Sequence, residues 1–193
     1  MNILDTLTAE QKELVRYRKL QKNEVLCREN DICGYVGIVV KGKLSIVSYL
    51  SDGKEVIYNE PGEDDMFGNN LIFSSSPYYK GDVTAAVESE IAIIYKDDLT
   101  YLLQNNKDFL VSYMAIQSDF AKDLNDRIKL LAIDSAEERL LFLLHKNDNL
   151  IRYDSITSLA RSLFIERETL SRLLSRMEKD DRIVRVDSTI RLR

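Results

Sequence analysis

The sequence predicts an α+β chain: an N-terminal antiparallel β-roll of jelly-roll type, a long helix and a C-terminal winged helix-turn-helix, over residues 1–98, 99–134 and 135–193. Three observations predict it. Short apolar runs separated by turn residues fill the first half. From Leu99 to about Ile133 the turn residues vanish and apolar positions follow helical spacing. Residues 155–176, SITSLARSLFIERETLSRLLSR, then lay out a short helix, a three-residue turn and a longer helix.

Composition bounds the function. With 193 residues the chain can bury one good core or two small ones, and a β-rich half followed by an α-rich half favours two. There is no run of about 18 apolar residues, and Met1 to Leu20 mixes acidic with basic residues, so the expectation is a cytoplasmic protein without a membrane span or export signal. Cys27 and Cys33, the only cysteines, match neither a disulfide scaffold nor a zinc site; a thiol switch between them stays open, because spacing does not give their Cα separation. His145 is the only histidine, and its neighbours Leu143 and Leu144 place it on a helix flank. With no nucleophile–base pair, phosphate loop or metal-ligand spacing, the sequence predicts no catalytic residues, no metal and no enzyme.

The formal charge of −5 would disfavour a nucleic-acid partner if it were evenly spread. From Leu150 to Arg193, however, ten Lys and Arg face seven Asp and Glu, so a basic module follows an acidic one.

Along the chain, Thr8 and Gln11 form a capping box for a helix running through Leu14 and Val15. Val25–Leu26, Val36 to Val40, Leu44 to Leu50, Val56 to Tyr58 and Ile91 to Tyr95 read as strands. Their turns are Lys41–Gly42–Lys43, Ser51–Asp52–Gly53–Lys54 and Glu60–Pro61–Gly62–Glu63, with Asp52–Gly53 the clearest hairpin signal. In the long helix, Leu110, Met114, Gln117, Ala121, Leu124, Ile128 and Leu131 recur in alternating four- and three-residue steps, while Phe109, Tyr113, Ile116 and Phe120 make a second apolar stripe. Two stripes need two partners: the β-roll for one and a second copy of the chain for the other, or neighbours within one chain for both. Ser135 and Glu138 start a helix from Ala136 to about His145, and Lys146 to Leu150 end it. Helices over Ile156 to Leu163 and Arg167 to about Lys179 follow, then strands Ile183–Val186 and Thr189–Leu192.

In the helix-turn-helix segment, Ala160 is small where the helices must cross, and Leu159, Leu163, Ile165, Leu170, Leu173 and Leu174 supply the shared core. That leaves Arg167, Glu168, Ser171 and Arg172 at the start of the second helix to read base edges, Arg on guanine and Glu on cytosine N4. Arg161, Thr169, Arg176, Arg185 and Arg191 are placed for phosphates. The expected partner is double-stranded DNA with a two-fold symmetric site.

Glu137-Glu138-Arg139-Leu140, then SLARSLFIERETLSRLLSRMEK and Ile183, resembles the DNA-binding domain of the Crp/Fnr family of transcription regulators, with the Arg-Glu-Thr-x-x-Ser-Arg helix its most specific element. GYVGIVVKGKLSIVSYLSDGKEVIYNEPGEDDMFG, with Gly42, Gly53, Gly62 and Gly68, is similar to the same family's cyclic-nucleotide-binding-like β-roll, so the resemblance covers essentially the whole chain. It implies a homodimeric, sequence-specific DNA-binding regulator, with RNA polymerase a further candidate partner. Family members that read guanine-rich half-sites use the positions of Arg167, Glu168 and Arg172; the anaerobic branch uses those of Glu168, Ser171 and Arg172. Two departures, Phe164 for the usual turn glycine and Glu166 for the usual capping Ser, predict a reshaped turn. The alternative is a ligand-binding or protein-interaction module whose winged helix contacts protein.

In nucleotide-binding relatives the segment after the Phe-Gly pair carries a Glu for the ribose and an Arg-Ser pair for the cyclic phosphate; here Asn69 and Tyr79–Lys80 take those places. Lys offers a point charge where a phosphate wants a fork, so cyclic AMP is not the expected effector. Gly68, Asn69, Asn70, Tyr78, Tyr79 and Lys80 are candidates for a pocket taking a different ligand, perforce unidentified; no ligand at all is the other reading, and no cofactor is expected.

Overall fold

The fold is that of a computed structural model, which describes residues 2–53 and 55–193; the reading of Lys54 as a turn residue lies outside the described residues. The chain forms two compact units, residues 1–119 and 120–193.

The first unit opens with a 3-10 turn, Ile3–Thr6, and with the Thr8–Gln11 capping box, but the helix it starts, α1, is only Ala9–Lys12. The expected continuation through Leu14 and Val15 is absent: these residues connect α1 to strand β1, Arg16–Leu20, which pairs with the later strand Ser89–Tyr95 in a register from Arg16↔Ile93 to Leu20↔Ser89. RYRKL shows no alternation because β1 is an edge strand that buries only Leu20. Strands β2 (Val25–Cys27), β3 (Tyr35–Lys41), β4 (Leu44–Tyr49), β5 (Glu55–Asn59), β6 (Met66–Phe67), β7 (Asp82–Ala85) and β8 (Ser89–Tyr95) complete two antiparallel sheets, ordered β1-β8-β3-β6 and β2-β7-β4-β5. Inward residues of both sheets, among them Val36, Ile38, Leu44, Val83, Ile91 and Ile94, share one core, which defines the β-roll. Gly53 has φ +81° in the β4–β5 hairpin, the conformation its Asp-Gly signal implied.

The helical region is where the sequence reading needs correcting. Instead of one helix from Leu99 there are two, α2 (Lys96–Asn105) and α3 (Lys107–Ala132), separated by extended Asn106. Asn106 is bound on both sides: its Oδ1 accepts from the Phe109 N–H at 2.9 Å, capping α3, and its Nδ2 donates to Thr6 O at 2.9 Å and Gln11 Oε1 at 2.7 Å. Except at Gln117, the two stripes of α3 part as their spacing suggested. Phe109 and Tyr113 are buried in the β-roll core and Ile116 packs against it. Met114, Leu124, Ile128 and Leu131 lie 50–57% exposed, with Leu110 and Ala121 also open.

The second unit contains α4 (Ala136–Lys146), β9 (Leu150–Arg152), α5 (Ile156–Ser162), α6 (Arg167–Lys179), β10 (Ile183–Val186) and β11 (Thr189–Leu192). Ser135 caps α4 through the Glu138 N–H, and Ser155 with Ser158 forms a capping box for α5. The expected hairpin β10–β11 is present in the register Ile183↔Leu192, and β9, which starts at the last residue of the expected break and is not among the strands expected from sequence, adds a third strand against β11. Leu140, Leu144, Leu159, Ala160, Leu163, Leu170, Leu173, Leu174, Met177, Ile183 and Ile190 make its core.

Candidate nucleic-acid interface

The second unit presents α6 as an amphipathic rod. Leu170, Leu173, Leu174 and Met177 face the core, so the first two turns turn Arg167, Glu168, Ser171 and Arg172 to solvent on one stripe, continued by Ser175. Arg172 Nε reaches back only to its own helix, at Glu168 O, 3.4 Å, and among the described residues neither Arg167 nor Arg172 has a carboxylate partner. The entry of α6 is fixed from α5: the Phe164 N–H donates to Arg161 O and the Ile165 N–H to Ala160 O, both at 3.0 Å, closing a Schellman-type turn with Phe164 at φ +54°. The predicted reshaping is therefore not found. Phe164 adopts the left-handed conformation normally left to glycine, while Glu166, as expected for a residue that is not Ser, makes no side-chain cap.

The phosphate assignments divide. Arg161, at the end of α5, and Arg191, on β11, are exposed without an ion-pair partner among the described residues. Thr169 is half-buried. Arg176 instead binds Glu137 at 2.5 Å, beside Arg182, and Arg185 binds Glu178 through both Nε and Nη2. These two arginines are a correction: their charge is spent within the domain. The same contacts hold the Glu137 carboxyl below its usual range, first through Arg182, and that of Glu178 through Arg185.

In the β-roll, the six pocket candidates do not form one surface. Tyr78 and Lys80 point out, whereas Tyr79 between them points into the core, because residues 77–79 pair with 30–33 through Asn30 N–H to Tyr79 O, Tyr79 N–H to Asp31 O and Cys33 N–H to Pro77 O. This corrects the pairing of Tyr79 with Lys80 in a ligand site. Tyr79 is 2% exposed and its hydroxyl has no hydrogen-bond partner among the described residues. It shares the core with both cysteines, its hydroxyl beside Gly68 together with Cys33 Sγ; Cys27 Sγ and Tyr35 Oη are 2.8 Å apart, and Cys33 Sγ lies 3.4 Å from Tyr35 O. Burial raises both thiols and both phenols above their usual ranges. Both cysteines are therefore expected to resist iodoacetamide in the folded protein at pH 8 and to react on unfolding; rapid alkylation of the folded chain would contradict that placement.

Gly68, at φ +77°, leads into buried Asn69, and here the structure adds contacts that sequence reasoning missed. Asn69 O accepts from Tyr113 Oη and from Gln117 Nε2, each at 3.1 Å, and Asn69 Nδ2 donates to Gln117 Oε1. Gln117, assigned to the intersubunit seam, is instead turned toward the β-roll of its own chain. Its polarity within an otherwise apolar seam was the available signal. Asn70 is exposed beside this cluster. Burial pushes the Tyr113 hydroxyl up to about 12, so it stays a donor at neutral pH. Among the described residues no three His, Cys, Asp or Glu gather as a metal site, and no helix is long and apolar enough to cross a membrane.

Residues 17–106 match the family model described as cyclic nucleotide-binding domain. No curated protein matches by sequence. Among solved structures, the chain is similar to a CooA mutant from Carboxydothermus hydrogenoformans, at 19% identity over 100% of this chain and 91% of that one, with a TM-score of 0.79. It is similar to FixK2 from Bradyrhizobium japonicum, at 21% identity over 93% and 92%, TM-score 0.67. It is also similar to CLP, a c-di-GMP responsive global regulator of Xanthomonas campestris, at 22% identity over 96% and 99%, TM-score 0.65. The chain thus shares the fold of these proteins, with its β-roll as the cyclic-nucleotide-binding-type domain.

Proposed function

We propose that this chain is a cytoplasmic, homodimeric transcription regulator that binds a two-fold symmetric DNA site, and not an enzyme. The observation that carries the reading is the α6 stripe: Arg167, Glu168, Ser171 and Arg172 stand exposed, without ion pairs among the described residues, on the first two turns of a helix seated on the core and within the basic segment of an acidic chain. Residues so placed reach base edges in the major groove, with Arg167 and Arg172 on guanine and Glu168 accepting from an amino group. Arg161 and Arg191 carry the phosphate contacts. The exposed seam of α3 receives the same seam of a second copy, which brings two α6 helices to two half-sites; RNA polymerase is a further candidate partner. Rounds of enrichment from randomised duplex at low salt test this: a palindromic or near-palindromic site should emerge, and failure to enrich one would refute the reading.

Control by cyclic AMP is not part of the proposal. The β-roll fold does not by itself supply the ligand contacts: Asn69 is engaged by Gln117, Tyr79 is in the core and Lys80 is exposed outside it. An effector of other chemistry, or none, fits this arrangement. Calorimetry with cyclic AMP is expected to show no saturable heat, and low-micromolar binding that also tightens DNA binding would overturn this part. A second reading, in which the winged helix contacts protein, draws on Phe164, 42% exposed at the turn; it predicts that enrichment fails.

A further inference from the structure

We infer that Arg139 is a positioning residue for the recognition helix, stapling the end of α3 to the turn that aims α6. The inference rests on the DNA-reading role proposed for α6. Arg139 lies in the first turn of α4 and is half-buried. All of its hydrogen bonds go to backbone carbonyls: Nε donates to Ile133 O at 2.6 Å, and Nη1 to Leu163 O at 3.1 Å and Phe164 O at 2.8 Å. Among the described residues it has no carboxylate partner. Ile133 is the residue that follows α3, Leu163 is the C-cap of α5 and Phe164 the left-handed turn residue after it, with Ile165 and the N-cap Glu166 leading into α6 at Arg167.

The chemistry explains why a guanidinium stands there. The carbonyls at the C-terminal end of α5 carry partial negative charge and have exhausted their intrahelical donors, so a fixed cation is favourable beside them. Phe164 holds φ +54°, a conformation that disfavours a bulky residue, and its half-exposed ring gains little burial in return. The turn therefore needs an external tie, and the guanidinium supplies it: the two N–H groups of Nη1 reach the adjacent carbonyls of Leu163 and Phe164, while Nε holds Ile133. The three residues from Phe164 to the start of α6 leave little slack, so loosening the tie changes how α6 is presented.

The test is a set of four variants, Arg139→Lys, Arg139→Ala, Phe164→Gly and Arg139→Ala with Phe164→Gly. Two quantities are measured below the melting temperature of each: the ratio of affinities for the enriched site and for random duplex, and hydrogen exchange at the Phe164 and Ile165 amides without DNA. Arg139→Ala should lower the ratio about tenfold or more, the order expected for losing charge-assisted hydrogen bonds, while random-duplex binding stays near that of the unmodified chain. Arg139→Lys should fall short of full function, since a point charge cannot span three carbonyls. Phe164→Gly should restore most of the ratio in the Arg139→Ala background, because glycine holds the turn unaided. A merely structural arginine would give lower melting temperature with an unchanged ratio, or a loss that Phe164→Gly does not relieve; either overturns the proposal. If the unmodified chain has no sequence preference, the DNA-reading role fails, and exchange still decides the staple: turn amides unaltered by Arg139→Ala would overturn it.

Discussion

A chain carrying both Leu124→Asp and Ile128→Asp should sediment as a folded monomer and lose DNA binding. Both side chains are more than half open or at its edge in the single chain, at 50% and 57%, so the substitutions remove nothing from the chain's own core, and circular dichroism should show its helices intact. What they remove is intersubunit burial. A large apolar side chain taken fully out of water is worth about 1.5–3 kcal/mol, so four of them, two from each protomer and each with about half its surface still to bury, amount to about 3 kcal/mol or more, before the charges facing each other across the seam are counted. Monomers would then meet half-sites singly and lose the gain of engaging two together. A variant that stays dimeric would reject the α3 seam as the interface.

Arg172→Ala and Arg191→Ala should fail in different ways. Arg172 stands exposed on the second turn of α6 with no side-chain partner among the described residues, and its loss should cost about 1–3 kcal/mol on the preferred site and relax discrimination at one base position per half-site. Arg191, on the wing strand β11, should weaken all duplexes alike and reduce the slope of log affinity against log salt by about one unit. Arg185→Ala is expected to change that slope less than Arg191→Ala, since its guanidinium is already held by Glu178. Equal losses on specific and random duplex for Arg172→Ala would remove α6 from the groove.

The parts legible in the sequence were those where a local signal agrees with the fold. The Asp52–Gly53 hairpin, the capping residues Thr8 and Ser135, the strands of the wing and the apolar face of α6 all have such signals. Elements decided by distant partners were not legible. Strand β1 is polar and exists because β8 offers an edge; Asn106 breaks the long helix because Thr6 and Gln11 reach it from the amino terminus. The same holds at the site. Spacing picked out Arg167, Glu168, Ser171 and Arg172 as one face, but it could not show that Arg176 and Arg185 have acidic neighbours, that Tyr79 faces inward, or that Gln117 serves Asn69. Arg139 lay in a recognised motif, yet its three carbonyl partners are 6, 24 and 25 residues away.

Guanine methylation interference on the enriched duplex tests the central claim most directly, because it reports the groove, the base and the symmetry in one experiment. Methyl groups at guanine N7 lie in the major groove, where Arg167 and Arg172 are proposed to bind. The account predicts two clusters of interfering guanines related by two-fold symmetry, with centres about 10–10.5 base pairs apart or a multiple of that spacing. A single cluster, or none despite tight binding, would contradict it.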